Sequence, residues 1–510
     1  MVTDPNPRMN VLFIAVDDLR CQLGCYGDKF AVTPHIDTRL AGRGTLFTHA
    51  YCQQAVCNAS RSSLMTGLRP DTIKIGGGFP DREGPEESSR PSYPKMHFRS
   101  EVPDAVTLSQ HFRLNGYYAF GVGKIYHGHP WCQDPLSWSE PMELNVVPRR
   151  DVSYVLPENK IDNTPAWPGL KLAATECADV PDNAYVDGKV TDEAVRVLNK
   201  IQGRPFFLAV GFRKPHLPFS APKRYWDLYD RDDLAVPANP DRPDDVTALA
   251  FHSNAEVRGY ADVPSTGPIS PDKIAELRHG YYACSSYMDA QVGRLLDELD
   301  RLSLADHTVV VLWGDHGYHL GEKDLWCKFT CFELDTHAPL VIYAPGRGPG
   351  GVAIDAPVEF VDIYPTLCEL CELPVPKQLE GASMAPLLRD PARPWKQAAF
   401  SQYPREYRWD GQVWRGRTPA LDLQPDECPP GWADDTSREQ GFMGRTLRTR
   451  RYRYTEWVDV RTNLTHAREL YDHTDDSAEI ENLAERPECG ELGAELGQLL
   501  WRGWRAAGAQ

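Results

Sequence analysis

Four short apolar runs along the chain have the composition of buried strands, and each is followed at once by ionisable residues. The runs cover residues 11–16, 117–122, 206–210 and 308–313. Between them lie segments with helical periodicity, such as residues 283–302, where apolar side chains recur every three or four positions. This alternation predicts an α/β fold, in which a large, mixed but mostly parallel sheet is sandwiched by helices.

The residues that follow these runs are the candidate functional groups. They are Asp17 and Asp18 after the first run, Lys124 and His127 after the second, Arg213, Lys214 and His216 after the third, and Asp315 and His316 after the fourth. In a sheet of this kind, ligands bind at the carboxyl ends of the strands. All four groups are therefore expected to face one crevice.

Three carboxylates in one crevice predict a metal ion, because Asp17, Asp18 and Asp315 would repel one another without a cation. Oxygen ligands favour a hard ion such as calcium or magnesium. A helix cap or a turn is the alternative for a lone Asp-Asp pair. Zinc is less favoured, because Cys368 and Cys371 form a CxxC pair that no second pair completes in the sequence.

A different segment, residues 57–70, reads CNASRSSLMTGLRP and resembles the signature of the type I sulfatases of the alkaline-phosphatase superfamily. A lone cysteine is more often a small core residue, but the resemblance extends over nearly the whole chain and is strongest to the iduronate-2-sulfatase-like group. It is carried by residues 10–20, 23–28, 53–57, 122–124, 206–216, 401–405, 469–472 and 482–484. Within the signature, Ala59 stands where proline is usual.

The resemblance implies a covalent mechanism. In that family the signature cysteine is oxidised to formylglycine, whose hydrated aldehyde carries two geminal hydroxyls. One hydroxyl attacks a sulfate ester, and the other then expels sulfate as the aldehyde re-forms. Carried over to this chain, Cys57 is the modified nucleophile, and Arg61 holds the developing oxyanion.

The same resemblance assigns four more catalytic roles. Lys124 bridges the formylglycine and the sulfate, and Lys328 contacts a sulfate oxygen from the other side. His127 matches the base that deprotonates the second hydroxyl, and His216 matches the group that protonates the leaving alcohol. Histidine titrates near neutral pH and lysine supplies a compact charge, so each residue type suits its role.

The resemblance further implies one calcium ion per chain that also grips the sulfate oxygens. Its ligands are Asp17, Asp18, the modified Cys57, Asp315 and His316. A fixed cation at this point stabilises the charge that grows on the sulfate in the transition state. A maturation enzyme that installs formylglycine is the implied protein partner, and a small-molecule or saccharide sulfate ester is the implied substrate.

The length of the chain predicts two domains, because 510 residues exceed a single core of roughly 250 to 300 residues. A proline-dense stretch between residues 373 and 399 places the boundary. The expected units are a catalytic domain at residues 1–385 and a smaller C-terminal α+β subdomain at residues 386–510. Residues 445–460 alternate as antiparallel strands do, and residues 80–101 predict a surface loop near the cleft.

Composition narrows the partners and the location. The net charge of −17 disfavours nucleic acid, and no apolar run approaches the roughly 18 residues that a membrane span needs. The polar start of the chain shows no secretion signal, so a cytoplasmic location with free thiols is expected. A secreted or periplasmic location is expected instead if a leader has been removed.

Three functions remain open from the sequence. The first is a sulfatase that acts on a sulfated sugar or another sulfate monoester. The second is a phosphonate or phosphate-ester hydrolase of the same superfamily, which can use the same aldehyde hydrate. The third is a non-catalytic protein that binds a metal and an anion and keeps Cys57 unmodified. The physiological substrate and the oligomeric state are not predicted from the sequence.

Overall fold

A computed structural model gives the fold of the chain. It describes residues 8–75, 97–147, 153–160, 172–234, 236–410, 412–416, 420–424, 427–429, 432 and 440–508. The predicted surface loop at residues 80–101 therefore lies mostly outside the described residues. No helix of the described residues is long and apolar enough to cross a membrane.

Two sheets hold most of the strands. The strands are β1 (Asn10–Val16), β2 (Thr45–Phe47), β3 (Ala50–Tyr51), β4 (Tyr118–Gly123), β5 (Thr175–Ala178), β6 (Phe206–Phe212), β7 (Phe219–Pro222), β8 (Thr308–Gly314), β9 (His319–Leu320), β10 (Trp326–Cys327), β11 (Leu340–Tyr343), β12 (Val352–Ile354), β13 (Val358–Glu359), β14 (Ala399–Trp409), β15 (Trp414–Gly416), β16 (Gln440–Arg448), β17 (Tyr452–Asp459) and β18 (Thr465–Asp472).

The helices lie between these strands in the chain. They are α1 (Cys57–Thr66), α2 (Pro70–Ile73), α3 (Leu108–Leu114), α4 (Val186–Ile201), α5 (Lys223–Trp226), α6 (Ala255–Arg258), α7 (Pro271–Arg301), α8 (Glu333–Thr336), α9 (Ile363–Leu370), α10 (Ala385–Arg389) and α11 (Gly490–Arg502). Short 3₁₀ turns and a π-helical segment at His35–Ala41 connect them.

The large sheet has the strand order β12-β2-β11-β8-β1-β6-β4. Its centre is parallel, because β1 pairs in parallel with both β6 and β8, and β4 pairs in parallel with β6. The strand β11 is antiparallel to its neighbours β8 and β2. The predicted mixed, mostly parallel sheet is confirmed, and each of the four apolar runs forms one of its strands.

Helices cover both faces of this sheet, so its central strands are apolar on both sides. In β1, the side chains of Val11 and Phe13 pack with α1 and α9, while those of Leu12 and Ile14 pack with α4 and α7. The helix predicted at residues 283–302 exists but begins earlier, at Pro271. Ser270 caps this helix by accepting a hydrogen bond from the Lys273 backbone at 3.3 Å.

A smaller antiparallel sheet follows in the C-terminal part, with the order β15-β14-β16-β17-β18. Its central hairpin, β16 and β17, contains the residues that alternate in the sequence, and α11 packs against it. The predicted C-terminal antiparallel sheet is thereby confirmed. The division at residue 385 stays a prediction, since the first strand of this sheet begins only at Ala399.

A buried ion-pair network around Glu359 links the segment between α1 and α2 to the start of the C-terminal sheet. Its carboxylate accepts hydrogen bonds from both terminal nitrogens of Arg69 at 2.8 Å, from Lys396 Nζ at 2.7 Å and from the backbone of Phe400 at 3.0 Å. Burial acts to raise the pKa of Glu359, but the charges of Arg69 and Lys396 outweigh it and hold the pKa at about 2.

Glu359→Gln is expected to destabilise the fold at neutral pH by about 3 kcal/mol, because it leaves buried cations without their partner. The lowered pKa of Glu359 means that its contribution is present above the unfolded value of about 4.3 and is lost as the pH falls towards 2. The difference between variant and wild type should therefore shrink over that range in urea unfolding curves. Glu140→Gln, which breaks the exposed pair with Lys200, is the control and should cost less than about 1 kcal/mol.

Candidate active site

The strand register places the predicted site residues side by side. Val16, the last residue of β1, is opposite Phe212 of β6 and Gly314 of β8. Gly123 of β4 pairs with Gly211 of β6 at the same edge, with a φ of 78°. A Cβ on Gly123 would lie 2.2 Å from the Gly211 carbonyl oxygen, so glycine is required for this close approach. The four polar groups therefore leave the sheet into one crevice, as predicted.

The carboxylates of the crevice are paired with two lysines. Lys124 Nζ lies 2.5 Å from Asp17 Oδ2, and Lys328 Nζ lies 2.9 Å from Asp18 Oδ2. Burial acts to raise the pKa of Asp17, but Lys124 and further cations hold it well below its usual range. Burial and the neighbouring Asp17 raise the pKa of Asp18 to about 7 against the charge of Lys328. The cluster is thus costly to ionise without further positive charge.

Arg61 lies behind these carboxylates and is fully buried. Its Nε donates to Asp315 Oδ2 at 2.7 Å, and one terminal nitrogen lies 3.5 Å from Asp17 Oδ1. Another terminal nitrogen donates to the backbone carbonyls of Lys124 and Ile125. Arg61 is therefore a positioning residue for the carboxylates, and its direct contact with an oxyanion stays a prediction.

Cys57 begins the buried helix α1 and points at the same cluster. Its Sγ lies 3.3 Å from His316 Nε2 and 3.7 Å from Asp18 Oδ1. Burial and the charge of Asp17 raise the pKa of the Cys57 thiol, so the unmodified side chain is uncharged. The partial positive charge of a helix N-terminus stabilises anions at this position.

The donor set suits a divalent cation. One ligand atom each from Asp17, Asp18, Cys57 and His216 lie within 4.8 Å of one another, and so do one each from Cys57, Asp315 and His316. His316 Nδ1 lies 2.9 Å from the Gly317 carbonyl oxygen. A carbonyl only accepts, so Nδ1 carries the proton, and Nε2 presents its lone pair to the cluster.

Asp187 fixes the backbone turn that carries His216 to the cluster. The Asp187 carboxylate accepts from the backbone nitrogens of Arg213 at 3.0 Å and Lys214 at 2.8 Å, which fixes the turn before His216. His216 Nδ1 donates to the Leu217 carbonyl at 2.6 Å, so its Nε2 faces the site. Burial and the charge of Lys328 lower the pKa of His216 well below its usual range.

His127 lies near Lys124, in the same loop after strand β4. Its Nδ1 is buried without a hydrogen-bond partner in the described part of the chain. Burial and the charge of Lys124 lower its pKa well below the usual value. The ring stacks on His129 with centroids 4.9 Å apart, and His129 stacks on Trp131 at 5.1 Å and 8°. This row of rings runs from the crevice to the surface.

Lys328 reaches the cluster from a strained loop. Its neighbours Cys327 and Phe329 have φ values of 76° and 95°, which are unfavourable for residues with a side chain. Such conformations cost on the order of 1–3 kcal/mol each and persist mainly at functional sites. The strain marks this loop as a candidate functional segment, and the contact of Lys328 with a sulfate oxygen stays a prediction.

Sequence reasoning missed Glu256 and Asp187. Glu256 Oε2 lies 2.8 Å from Lys328 Nζ, although no strand-like run precedes it in the sequence. Two other lysines, Lys214 and Lys323, direct their ammonium groups away from the carboxylates. Lys214 Nζ donates to the backbone carbonyls of His216 and Pro218, and Lys323 Nζ donates to the carbonyl of Ala478.

Comparison with known proteins identifies the family. A sulfatase family model matches residues 9–373. The iduronate 2-sulfatase of Homo sapiens is 32% identical over 95% of this chain and 92% of its own length. The chain belongs to the sulfatase family. It is therefore a sulfuric ester hydrolase, related to the iduronate 2-sulfatases.

Solved structures agree with the fold of this sulfatase. A phosphonate monoester hydrolase from Silicibacter pomeroyi is similar with a TM-score of 0.71 and 22% identity, over 97% of this chain and 95% of that one. An enzyme solved with its substrate D-glucosamine-2-N,6-O-disulfate has a TM-score of 0.68 and 18% identity, over 97% of each chain. At these identities the likeness supports the shared architecture alone.

Proposed function

We propose that this sulfatase hydrolyses a sulfate monoester of a sugar through a formylglycine derived from Cys57, with a calcium ion at the carboxylate cluster. The observation that carries the proposal is the place of Cys57. Its Sγ lies at a helix N-terminus, in contact with Asp18 and His316, and both carboxylates of the Asp17-Asp18 pair are bonded to lysines. A sulfate group placed against Cys57 would meet cations from two sides.

The proposed calcium ligands are the four side chains around Cys57 and the modified Cys57 itself. They are Asp17, Asp18, Asp315 and His316 together with the formylglycine. When bound, the ion supplies positive charge that polarises the sulfate. Asp18 supports this assignment. Burial raises the pKa of its carboxyl to about 7, and an added cation would stabilise the ionised form.

The other side chains position the ester and move protons. Lys124 and Lys328 bind sulfate oxygens and stabilise the charge that develops on them. One hydroxyl of the formylglycine hydrate bonds to the sulfur and loses its proton to the carboxylate cluster. The negative charge of the bound ester favours the protonated form of His216, which donates the proton on Nε2 to the oxygen of the leaving alcohol as the ester sulfur–oxygen bond breaks. His127 then accepts the proton of the remaining geminal hydroxyl, and that oxygen re-forms the aldehyde as sulfate leaves. The maturation enzyme that installs formylglycine is the proposed protein partner.

A saccharide is the proposed class of alcohol. Two relatives in fold or sequence are described by sulfated sugars or by iduronate in their names. The row of His127, His129 and Trp131 supports it, because flat rings at the mouth of a site pack well against the apolar faces of a pyranose. The composition of the row is therefore suited to a sugar beside the reacting sulfate.

Two measurements test the proposal. The mass of the Cys57 peptide should be lowered by conversion of the thiol to the aldehyde. A panel of aryl sulfate, sulfated saccharide, phosphate diester and phosphonate monoester should then be hydrolysed with the highest kcat/KM on a sulfate ester. An unmodified Cys57 in active protein contradicts the mechanism, and a preference for the phosphonate ester contradicts the substrate class.

The two histidines are expected to act at different steps. His127→Ala should still form the sulfated intermediate, so a burst of alcohol should precede a slow phase. His216→Ala should slow the first step, by less for an aryl sulfate whose phenolate needs little protonation. General acid or base catalysis contributes about a hundred- to ten-thousand-fold, so rapid-quench kinetics will resolve both effects. No burst in His127→Ala, with equal leaving-group dependence in wild type and His216→Ala, would refute the two roles.

A further inference from the structure

A carboxylate outside the metal cluster lies against two of the proposed catalytic groups. Glu256 Oε2 is 2.8 Å from Lys328 Nζ, and Glu256 Oε1 is 3.3 Å from His216 Nε2. The Glu256 side chain is 9% exposed, and that of Lys328 is 3% exposed. Burying a carboxylate without a partner is costly, so the buried Glu256 side chain depends on its contact with Lys328.

The backbone around Glu256 is built to keep this contact. Asn254, two residues earlier, has a φ of 56° and directly precedes the short helix α6. Its side-chain nitrogen donates to the Asp324 carbonyl at 2.8 Å, and its side-chain oxygen accepts from the Trp326 backbone at 2.8 Å. These hydrogen bonds join Asn254, two residues before Glu256, to Asp324 and to Trp326, which lies two residues before Lys328. They therefore set the distance between the two backbone segments.

Lys328 has two anionic partners, Asp18 and Glu256, and only Asp18 is a candidate metal ligand. Asp18 lies 2.9 Å from Lys328 Nζ and belongs to the cluster of metal donors, whereas Glu256 belongs to neither cluster. A cation bound by Asp18 would compete with Lys328 for the Asp18 oxygens. Glu256 would then be the carboxylate that still holds the ammonium group on the side of His216.

We propose that Glu256 is a positioning residue that holds the Lys328 ammonium group beside His216, where it binds an oxygen of the sulfate. The proposal rests on the proposed function of the site. Without the carboxylate, Lys328 is free to move towards Asp18, away from the sulfate. Glu256 acts through Lys328 and does not itself exchange a proton or form a bond to the substrate.

The test is a double-mutant cycle of Glu256→Gln and Lys328→Ala on an aryl sulfate. Loss of the charged partner of a buried ion pair is costly, so Glu256→Gln should lower kcat/KM by about ten- to a hundredfold. In the Lys328→Ala background the same change should have almost no effect. The penalty of Glu256→Gln should also be equal for good and poor leaving groups, unlike that of His216→Ala.

Binding of inorganic sulfate gives a readout that does not need turnover. Its dissociation constant, measured by calorimetry on the calcium-loaded protein, should rise in Glu256→Gln by a similar factor and rise less in Glu256→Asp, which keeps the charge. Asp324→Asn is the matched control, because it removes a largely exposed carboxylate from the same loop, and it should change neither quantity. Calcium content and the melting temperature should stay at the wild-type values in Glu256→Asp.

Three results would overturn the proposal. They are additive penalties in the cycle, a penalty that fades with a good leaving group, and unchanged sulfate affinity in both Glu256 variants. Because the wild type is assayed on the same ester, absence of sulfatase activity in it would contradict the proposed function separately. Should Glu256→Gln fail to fold, Glu256→Asp carries the same cycle with a smaller expected penalty.

Discussion

Cys57→Ala is expected to abolish turnover while leaving the fold intact. The substitution removes the nucleophile, and loss of a covalent nucleophile lowers kcat by at least about 10⁴-fold. The carboxylates keep their other partners, because Arg61 and Lys124 still bind Asp17. Initial rates on an aryl sulfate and a thermal melt check both expectations.

Cys57→Ser is expected to give a more specific result. The serine oxygen can attack the sulfur and release the alcohol, which leaves a sulfate ester on the enzyme. No geminal hydroxyl is then present to expel the sulfate, so the intact mass should rise by one SO3 unit after exposure to substrate. Cys52→Ala is the matched control, since this buried cysteine lies outside the cluster, and it should stay active. Substantial sulfatase activity in Cys57→Ala would refute the covalent mechanism.

The fold and most of the site could be predicted because both follow from one sheet. A strand buried on both faces reads as a continuous apolar run, and the residue after it must lie at the edge of the sheet. Asp17, Lys124 and Asp315 are placed by that rule alone. The place of Cys57 could not be derived in this way, since it begins a helix, and it was found through the signature that it shares with the family.

Contacts that depend on loops could not be predicted. Glu256 and Lys328 are brought together by the hydrogen bonds of Asn254 to a distant turn, which leave no periodic signal in the sequence. For the same reason the sequence does not tell Lys328, which faces the carboxylates, from Lys214 and Lys323, whose ammonium groups bind backbone carbonyls. A lysine near a cleft in sequence becomes functional only through the direction of its side chain.

Element boundaries were predicted less well than element types. The helix α7 begins at Pro271 rather than at residue 283, because its first turns pack on α5 and the β5–β7 pair instead of on the central sheet. Apolar periodicity towards the central sheet starts only where the helix reaches it. The chain thus uses one helix in two different environments, and the sequence pattern changes where the environment does.

Asp18→Asn is expected to remove most of the stabilisation that calcium gives to the fold. In the absence of a cation, the Asp18 carboxylate is buried next to Asp17, and its pKa is raised to about 7 by burial. Replacing it with a neutral amide should leave the melting temperature of the metal-free protein unchanged or higher. The wild type should gain about 2.7 kcal/mol from calcium at a hundred times its dissociation constant, and the variant should gain much less.

The kcat/KM of the sulfatase reaction should fall when calcium binding is lost. Calcium content and kcat/KM should fall together in Asp18→Asn and in Asp315→Asn, because each removes a formal charge from a site that balances a divalent ion. Asp306→Asn, which changes an exposed carboxylate at the opposite end of strand β8, is the control and should keep both. The assignment is wrong if chelation of calcium leaves the rate of the wild type unchanged. A zinc content near one per chain would instead favour a phosphatase-like centre.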